Sequence, residues 1–301
     1  MVSGFTIRNC KSPGNGWDYC TIKIINCDNV VIRDNKISVG DIEYNDWVAG
    51  IFLQGSSYNL IQDNIIYNGA RRVSVGIEIQ ENCTSNNISG NEILDYVTGI
   101  VLNSRYNTIY GNNIHHNDWG FELHKLADRN TIINNIINAN RWNGILINAD
   151  NNEVIRNTIT NNGESGQFNS GIEVAGSIND ITYNIIKNNN PTGILIWDTD
   201  SSIINNHISN NHQIGIYIFY SHGCIIKENN LIDNGNYNAF FESDFIHSFS
   251  NKWRRNYWSD KQGFDTYRIK GFIYLLGLYP LRIPWINFDW RPASEPYDIE
   301  I

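Results

Sequence analysis

Three glutamates and a histidine are the residues most able to do chemistry. Glu78, Glu122 and Glu173 each stand two positions after a glycine (Gly76, Gly120 and Gly171), and His124 follows Glu122 by two. Two carboxyl groups held apart are the equipment of general acid and base work. In an inverting glycosidase the pair stands roughly 6.5–9.5 Å apart, leaving room for a water. A histidine on the same face can orient a carboxylate or share its proton. Asn103, Asn148, Trp197 and Tyr217 occupy equivalent positions in neighbouring repeats, and Arg71, Trp119 and Trp142 stand just before the glycines. Aromatic rings stack on sugar rings, while amides, carboxylates and guanidinium groups bond their hydroxyls, so this set points to a glycan.

These residues are positioned by a repeat. A glycine followed by alternating apolar residues recurs at Gly50, Gly76, Gly99, Gly120, Gly144, Gly171, Gly193 and Gly215, at intervals of 21 to 27 residues. Five of the eight are followed by an Asn-x-Ile-x-x-Asn-x-Ile phrase, as in Asn107-Thr-Ile-Tyr-Gly-Asn112-Asn-Ile114, and the other three by close variants of it. Alternation over four or five residues is a strand signal, and Asn and Gly are corner residues because they tolerate left-handed backbone angles. A repeat of this length with three short strands predicts an all-β fold, a single-stranded parallel β-helix of about ten coils over residues 1–258. In each Gly-Ile-x-Leu-x strand the aliphatic residues face inward and both x positions face outward. The three glutamates therefore fall on alternate coils, about 9.6 Å apart at the backbone. The column Asn35, Asn64, Asn91, Asn112, Asn135, Asn157, Asn184, Asn206, Asn229 and Asn256 reads as scaffold, amides bonding from coil to coil.

Composition agrees. Of 301 residues, 49 are Ile and 48 are Asn, both poor in helix interiors. The net charge of −9 argues against a nucleic-acid partner, which wants a positive face. The longest apolar stretch, residues 271–284, is broken by Gly277, Pro280 and Arg282, so no membrane span is expected. The opening residues show no signal-peptide pattern. After Trp258 the repeat stops and aromatics crowd in, so residues 259–301 are expected to form a C-terminal cap that covers the open strand edges. The longer pre-glycine segments 38–49, 69–75 and 163–170 should project beside one sheet.

The cadence over residues 4–258 resembles the right-handed parallel β-helix repeats of the NosD-type family, and Asn256-Tyr-Trp-Ser-Asp260 resembles endings of archaeal members. The resemblance implies a right-handed coil, an extracellular or cell-surface location, and membership of a group containing carbohydrate-binding and sugar-hydrolase β-helices. The family label also implies copper. Copper wants Cys, Met or His grouped together; the only Met is Met1, and His115, His116 and His124 are the nearest group, so no metal site or cofactor is assigned. Cys10 and Cys27 share a corner of successive coils, which fits either a disulfide or a ladder of small residues. The functional expectation is a polysaccharide-binding face. The alternatives are a glycoside hydrolase using Glu122 with Glu78 or Glu173, lyase chemistry being weakly supported without an outward Lys/Arg pair, and a structural surface protein with no small ligand.

Overall fold

The computed structural model describes every residue except 9–18, 40–47, 69–73, 165–168, 198–199, 245–246, 248–249, 264–265, 275–280 and 300–301. Among the described residues there is no α-helix. The chain winds through three parallel sheets, visiting each once per coil, so every strand pairs with its counterpart one coil away. The first sheet stacks eleven strands from Val2–Ser3 to Lys252–Arg254, and the second stacks eleven from Thr6–Arg8 to Tyr257–Trp258. The third holds the glycine-led strands, Tyr19–Ile25 to Tyr237–Asp244, followed by Tyr267–Tyr274 and Arg282–Asp289.

Register follows the aliphatic pattern. Ile88 pairs with Ile61 on one side and Ile109 on the other, Ile93 with Ile66 and Ile114, and Ile100 with Ile77 and Phe121. These columns meet in a continuous interior of fully buried branched side chains. A one-residue slip would turn a whole column out to water, so the pattern itself fixes the register.

The glycine column has a steric cause. A Cβ on Gly99 would stand 2.5 Å from the Gly120 carbonyl oxygen and 2.7 Å from Ile114 Cγ2, and Gly120 is equally close to Gly144. Only glycine lets successive coils approach this closely where the second sheet hands over to the third.

Three amide ladders line the corners, where one was expected. In the expected column, the Asn135 backbone N–H and Nδ2 both donate to Asn157 Oδ1 at 2.9 Å, and Nδ2 also reaches the carbonyl oxygens of Ile109 and Ile133. A second ladder runs through Asn59, Asn86, Asn107, Asn130, Asn152 and Asn179, and a third through Asn117, Asn140, Asn162, Asn189, Asn211 and Asn234. The left-handed corner residue is the one before the ladder Asn, not the Asn itself. Those preceding Asn35 through Asn256 have φ between 52° and 64°, even where they are Arg156, Tyr183, Glu228 or Arg255. That conformation costs a non-glycine residue about 1–2 kcal/mol, and the buried amide bonds that follow it offset the cost.

The small-residue alternative describes Cys27. Its backbone N–H donates to Ser56 Oγ, Ser56 N–H to Cys83 Sγ, and Cys83 N–H to Ser104 Oγ. Cys27 carries a free thiol; Cys10 lies outside the described residues.

At the C-terminal end, Tyr267–Tyr274 adds parallel to Tyr237–Asp244, and Arg282–Asp289 returns antiparallel beside it. Asp289, fully buried, accepts from Asn256 N–H and Nδ2 and from Trp258 Nε1, so a carboxylate receives the last donors of the expected ladder. The third ladder ends likewise, Asn234 on Asn238 and Asn238 on Asp260.

Candidate functional site

The third sheet carries one outward column, Phe52, Glu78, Val101, Glu122, Leu146, Glu173, Leu195, Tyr217 and Phe240, each paired with the next across the sheet. The glutamates therefore alternate with aliphatic residues, one per two coils. Their surroundings are not those of a fully solvated face: Glu78 is 3 % exposed, and Val101 and Leu195 are each 1 % exposed.

The three carboxylates differ. Glu78 accepts from Gln80 Nε2, its neighbour two along the strand. Glu122 lies 3.2 Å from His124 Nε2, and His124 Nδ1 lies 2.8 Å from Asn103 Oδ1 one coil earlier. Both ring nitrogens thus face oxygen acceptors; the protonated ring donates to both, the neutral ring to one. Glu173 accepts from Asn143 Nδ2 at 2.5 Å. Burial pushes its carboxyl above the ordinary glutamate range, and the Asn143 hydrogen bond moderates the shift. Asn143 is itself placed by the Ser170 N–H, which donates to its Oδ1 at 2.7 Å.

Aromatic rings flank this stretch. Trp119, at the head of the strand bearing Glu122, meets Trp142 with ring centroids 4.0 Å apart. Arg141 lies over Trp142 and is 3.1 Å from Glu164. Further along, Trp197 packs on Phe219 at 4.6 Å and Tyr217 on Phe219 at 5.7 Å. Asn148 is exposed on the coil after His124. The structure thus brings together Asn103, Glu122 and His124, then Trp119 with Trp142, then Trp197 with Tyr217; Glu78 stays with Gln80. Arg71 lies outside the described residues, as do 40–47 and 165–168 of the projecting segments.

Two features were not anticipated. Asn143 fixes Glu173 from the position just before Gly144, a place where the repeat shows nothing but a corner. Two residues further along the strand from Tyr217, Phe219 pairs with Glu242, which is bonded by Tyr274 and lies 3.7 Å from Arg282. Tyr274 is pushed up to about 12, by lost solvation first and then by that bond, and Tyr217 is raised by burial and by Glu242. The signal was obscured because Asn238-Ala239 stands where glycine introduces the strand elsewhere. The alternation in Phe240-Phe241-Glu242 was the available cue.

Among the described residues, no three His, Cys, Asp or Glu converge to hold a metal. His115 and His116 are adjacent, with His115 3.3 Å from Glu92.

Residues 2–144 match the family model described as periplasmic copper-binding protein (NosD), and residues 143–268 match the model of the right-handed β-helix region. No curated protein matches the sequence. Among solved structures, the mannuronan C-5 epimerase AlgE4 A-module of Azotobacter vinelandii is 16 % identical with a TM-score of 0.62, over 85 % of this chain and 77 % of that one. Pectate lyase Pel9A is 12 % identical with a TM-score of 0.50, over 88 % and 72 %. Geobacillus virus E2 ORF18 is 12 % identical with a TM-score of 0.52, over 79 % and 56 %. At these identities the likeness is one of fold. No helix among the described residues is long and apolar enough to cross a membrane. The chain folds as a right-handed parallel β-helix, its residues 2–144 similar to the NosD family and its residues 143–268 to the right-handed β-helix region.

Proposed function

We propose that the third sheet is a polysaccharide-binding face, centred on the coils of Asn103, Glu122 and Asn148. One observation carries the reading: the strand Trp119–Leu123 bears both Glu122, of the hydrogen-bonded Asn103–His124–Glu122 array, and Trp119, which meets Trp142 from the next coil. A sugar ring needs that combination, an apolar face to stack on and polar groups to meet its hydroxyls. Trp197 and Tyr217 extend the aromatic surface two to four coils further, which suits a chain rather than a single sugar. The periplasmic description of the matched family supports a location outside the cytoplasm.

The test is affinity electrophoresis through gels containing neutral or acidic polysaccharides. At least one polysaccharide is expected to retard the protein, and Trp119→Ala with Trp142→Ala should abolish most of that retardation. Equal retardation of wild type and variant, or none with any polysaccharide, would overturn the reading.

A second reading, hydrolysis, is favoured by the unequal environments of Glu173 and Glu122. A carboxyl that burial makes a weaker acid is suited to be the proton donor, and one beside a histidine to be the base. Their strands are two coils apart, roughly 9.6 Å at the backbone, within reach of the inverting spacing for flexible tips. Reducing-end release that disappears in both Glu122→Gln and Glu173→Gln would support it; release unchanged in either variant would exclude it.

A further inference from the structure

A second feature lies away from the third sheet, on the corner shared by the first and second sheets at the C-terminal end. There a cavity of about 430 Å³ is lined by Trp253, Arg254, Arg255, Trp290 and Arg291. It adjoins a second, shallower cavity of about 520 Å³ that shares Arg255 and Arg291 and is also lined by Tyr297 and the acidic Glu295. Three of the chain's 22 basic side chains converge here, in a protein of net charge −9.

Those charges are largely uncommitted. Arg255 lies 3.4 Å from Glu228, which also holds Lys227 at 3.4 Å. No acidic partner is found for Arg254 or Arg291 among the described residues. The neighbouring Asp289 does not serve: its oxygens already accept from the backbone N–H groups of Arg255, Asn256 and Arg291, from Asn256 Nδ2 and from Trp258 Nε1. Instead it fixes the geometry, because it ties together the two segments that carry Arg255 and Arg291.

The walls are aromatic. Trp290 is 69 % exposed and backed by Phe288, stacked at 4.8 Å. Trp253 is 3 % exposed, and its indole N–H is buried without a hydrogen-bond partner among the described residues. An exposed indole face and two guanidinium groups without an acidic partner among the described residues are thus presented to solvent side by side. Guanidinium groups bind carboxylates and sulfates in forked pairs, and an indole offers its face to a sugar ring. The joined cavities are of a size for two or three sugar units.

We infer that this corner is a second binding site, for an acidic oligosaccharide whose carboxylate or sulfate groups meet Arg254 and Arg291 while a ring stacks on Trp290. It is separate from the third-sheet face and does not depend on it.

Isothermal titration calorimetry on the full chain tests this with four probes: trigalacturonate, its methyl ester, a sulfated galactan trimer, and a short oligothymidylate. At least one acidic trimer is expected to bind while the methyl ester does not, and which one binds distinguishes a carboxylate from a sulfate ligand. Arg254→Gln with Arg291→Gln should weaken binding by a factor of about 10–100. Trp119→Ala with Trp142→Ala should leave it unchanged, so this site and the third-sheet face fail or stand separately. If the arginine variant melts early, Trp290→Ala provides the same comparison on an exposed side chain. The inference is overturned if neither acidic trimer binds better than the ester, if correctly folded variants bind like wild type, or if the oligothymidylate binds more tightly than either sugar.

Discussion

At the scale of single residues, the third-sheet glutamates share a sequence position but not an environment. Glu173 makes the difference measurable. Its folded-state carboxyl is raised by burial, so its contribution favours folding at acid pH and is lost as pH climbs through the raised value. Glu173→Gln should therefore gain thermal stability over wild type at neutral pH and gain none below about pH 4, near the ordinary glutamate value. Melting curves across pH 3.5–8 read this directly; a gain that is flat with pH would contradict it. His124 offers a second check. Because Asn103 holds the far side of the ring, Asn103→Ala should weaken polysaccharide retardation as His124→Ala does, by a factor of about 3–10, in the same gels. The carboxylate column could be read from the sequence because it is written in the repeat. Asn143 could not, because its role depends on how a corner side chain reaches across to the next coil.

At the scale of elements, each coil is held by three demands that coincide: an inward aliphatic residue, a left-handed corner residue and an amide that follows it. A buried Asn in the ladder satisfies neighbours on both sides. Asn135→Ala would orphan the Asn112 donors and leave the Ile109 carbonyl short of a partner. A loss of about 2–4 kcal/mol is expected in chemical denaturation, against under 1 kcal/mol for exposed Asn148→Ala. Gly120→Ala should also destabilise, since its Cβ would meet the Gly144 carbonyl oxygen at 2.5 Å. The strands and their register were legible because period-2 aliphatic alternation has one favourable solution. The ladder through Asn59 and Asn86 and the one through Asn117 and Asn140 are less legible in the sequence. Ser201, Cys224 and Tyr96 stand in those columns where the rule would put Asn, which breaks the pattern by type although hydrogen bonding continues through Ser201 and Cys224.

At the scale of the molecule, a solenoid must end its sheets and its ladders, and the sequence marks only the place where the repeat stops. We propose that residues 259–301 form the closing unit. The donors of Asn256 and Trp258 need an acceptor, and Asp289 supplies one from a strand 31 residues or more downstream. Asp289→Ala should cost about 2–4 kcal/mol and expose the last coil to proteolysis, whereas exposed Asp298→Ala should do neither. A long-range contact of this kind has no local signature, which is why the aromatic crowding was readable and the carboxylate was not. The central claim is that one face of a three-faced rod binds polysaccharide, and hydrogen exchange with and without the polysaccharide that retards the protein most tests it directly. Protection is predicted in strands Thr98–Leu102, Trp119–Leu123 and Ile145–Ile147 and the corners before them, with the first and second sheets of the same coils unchanged. Protection confined to the first or second sheet, or none anywhere, would contradict the account.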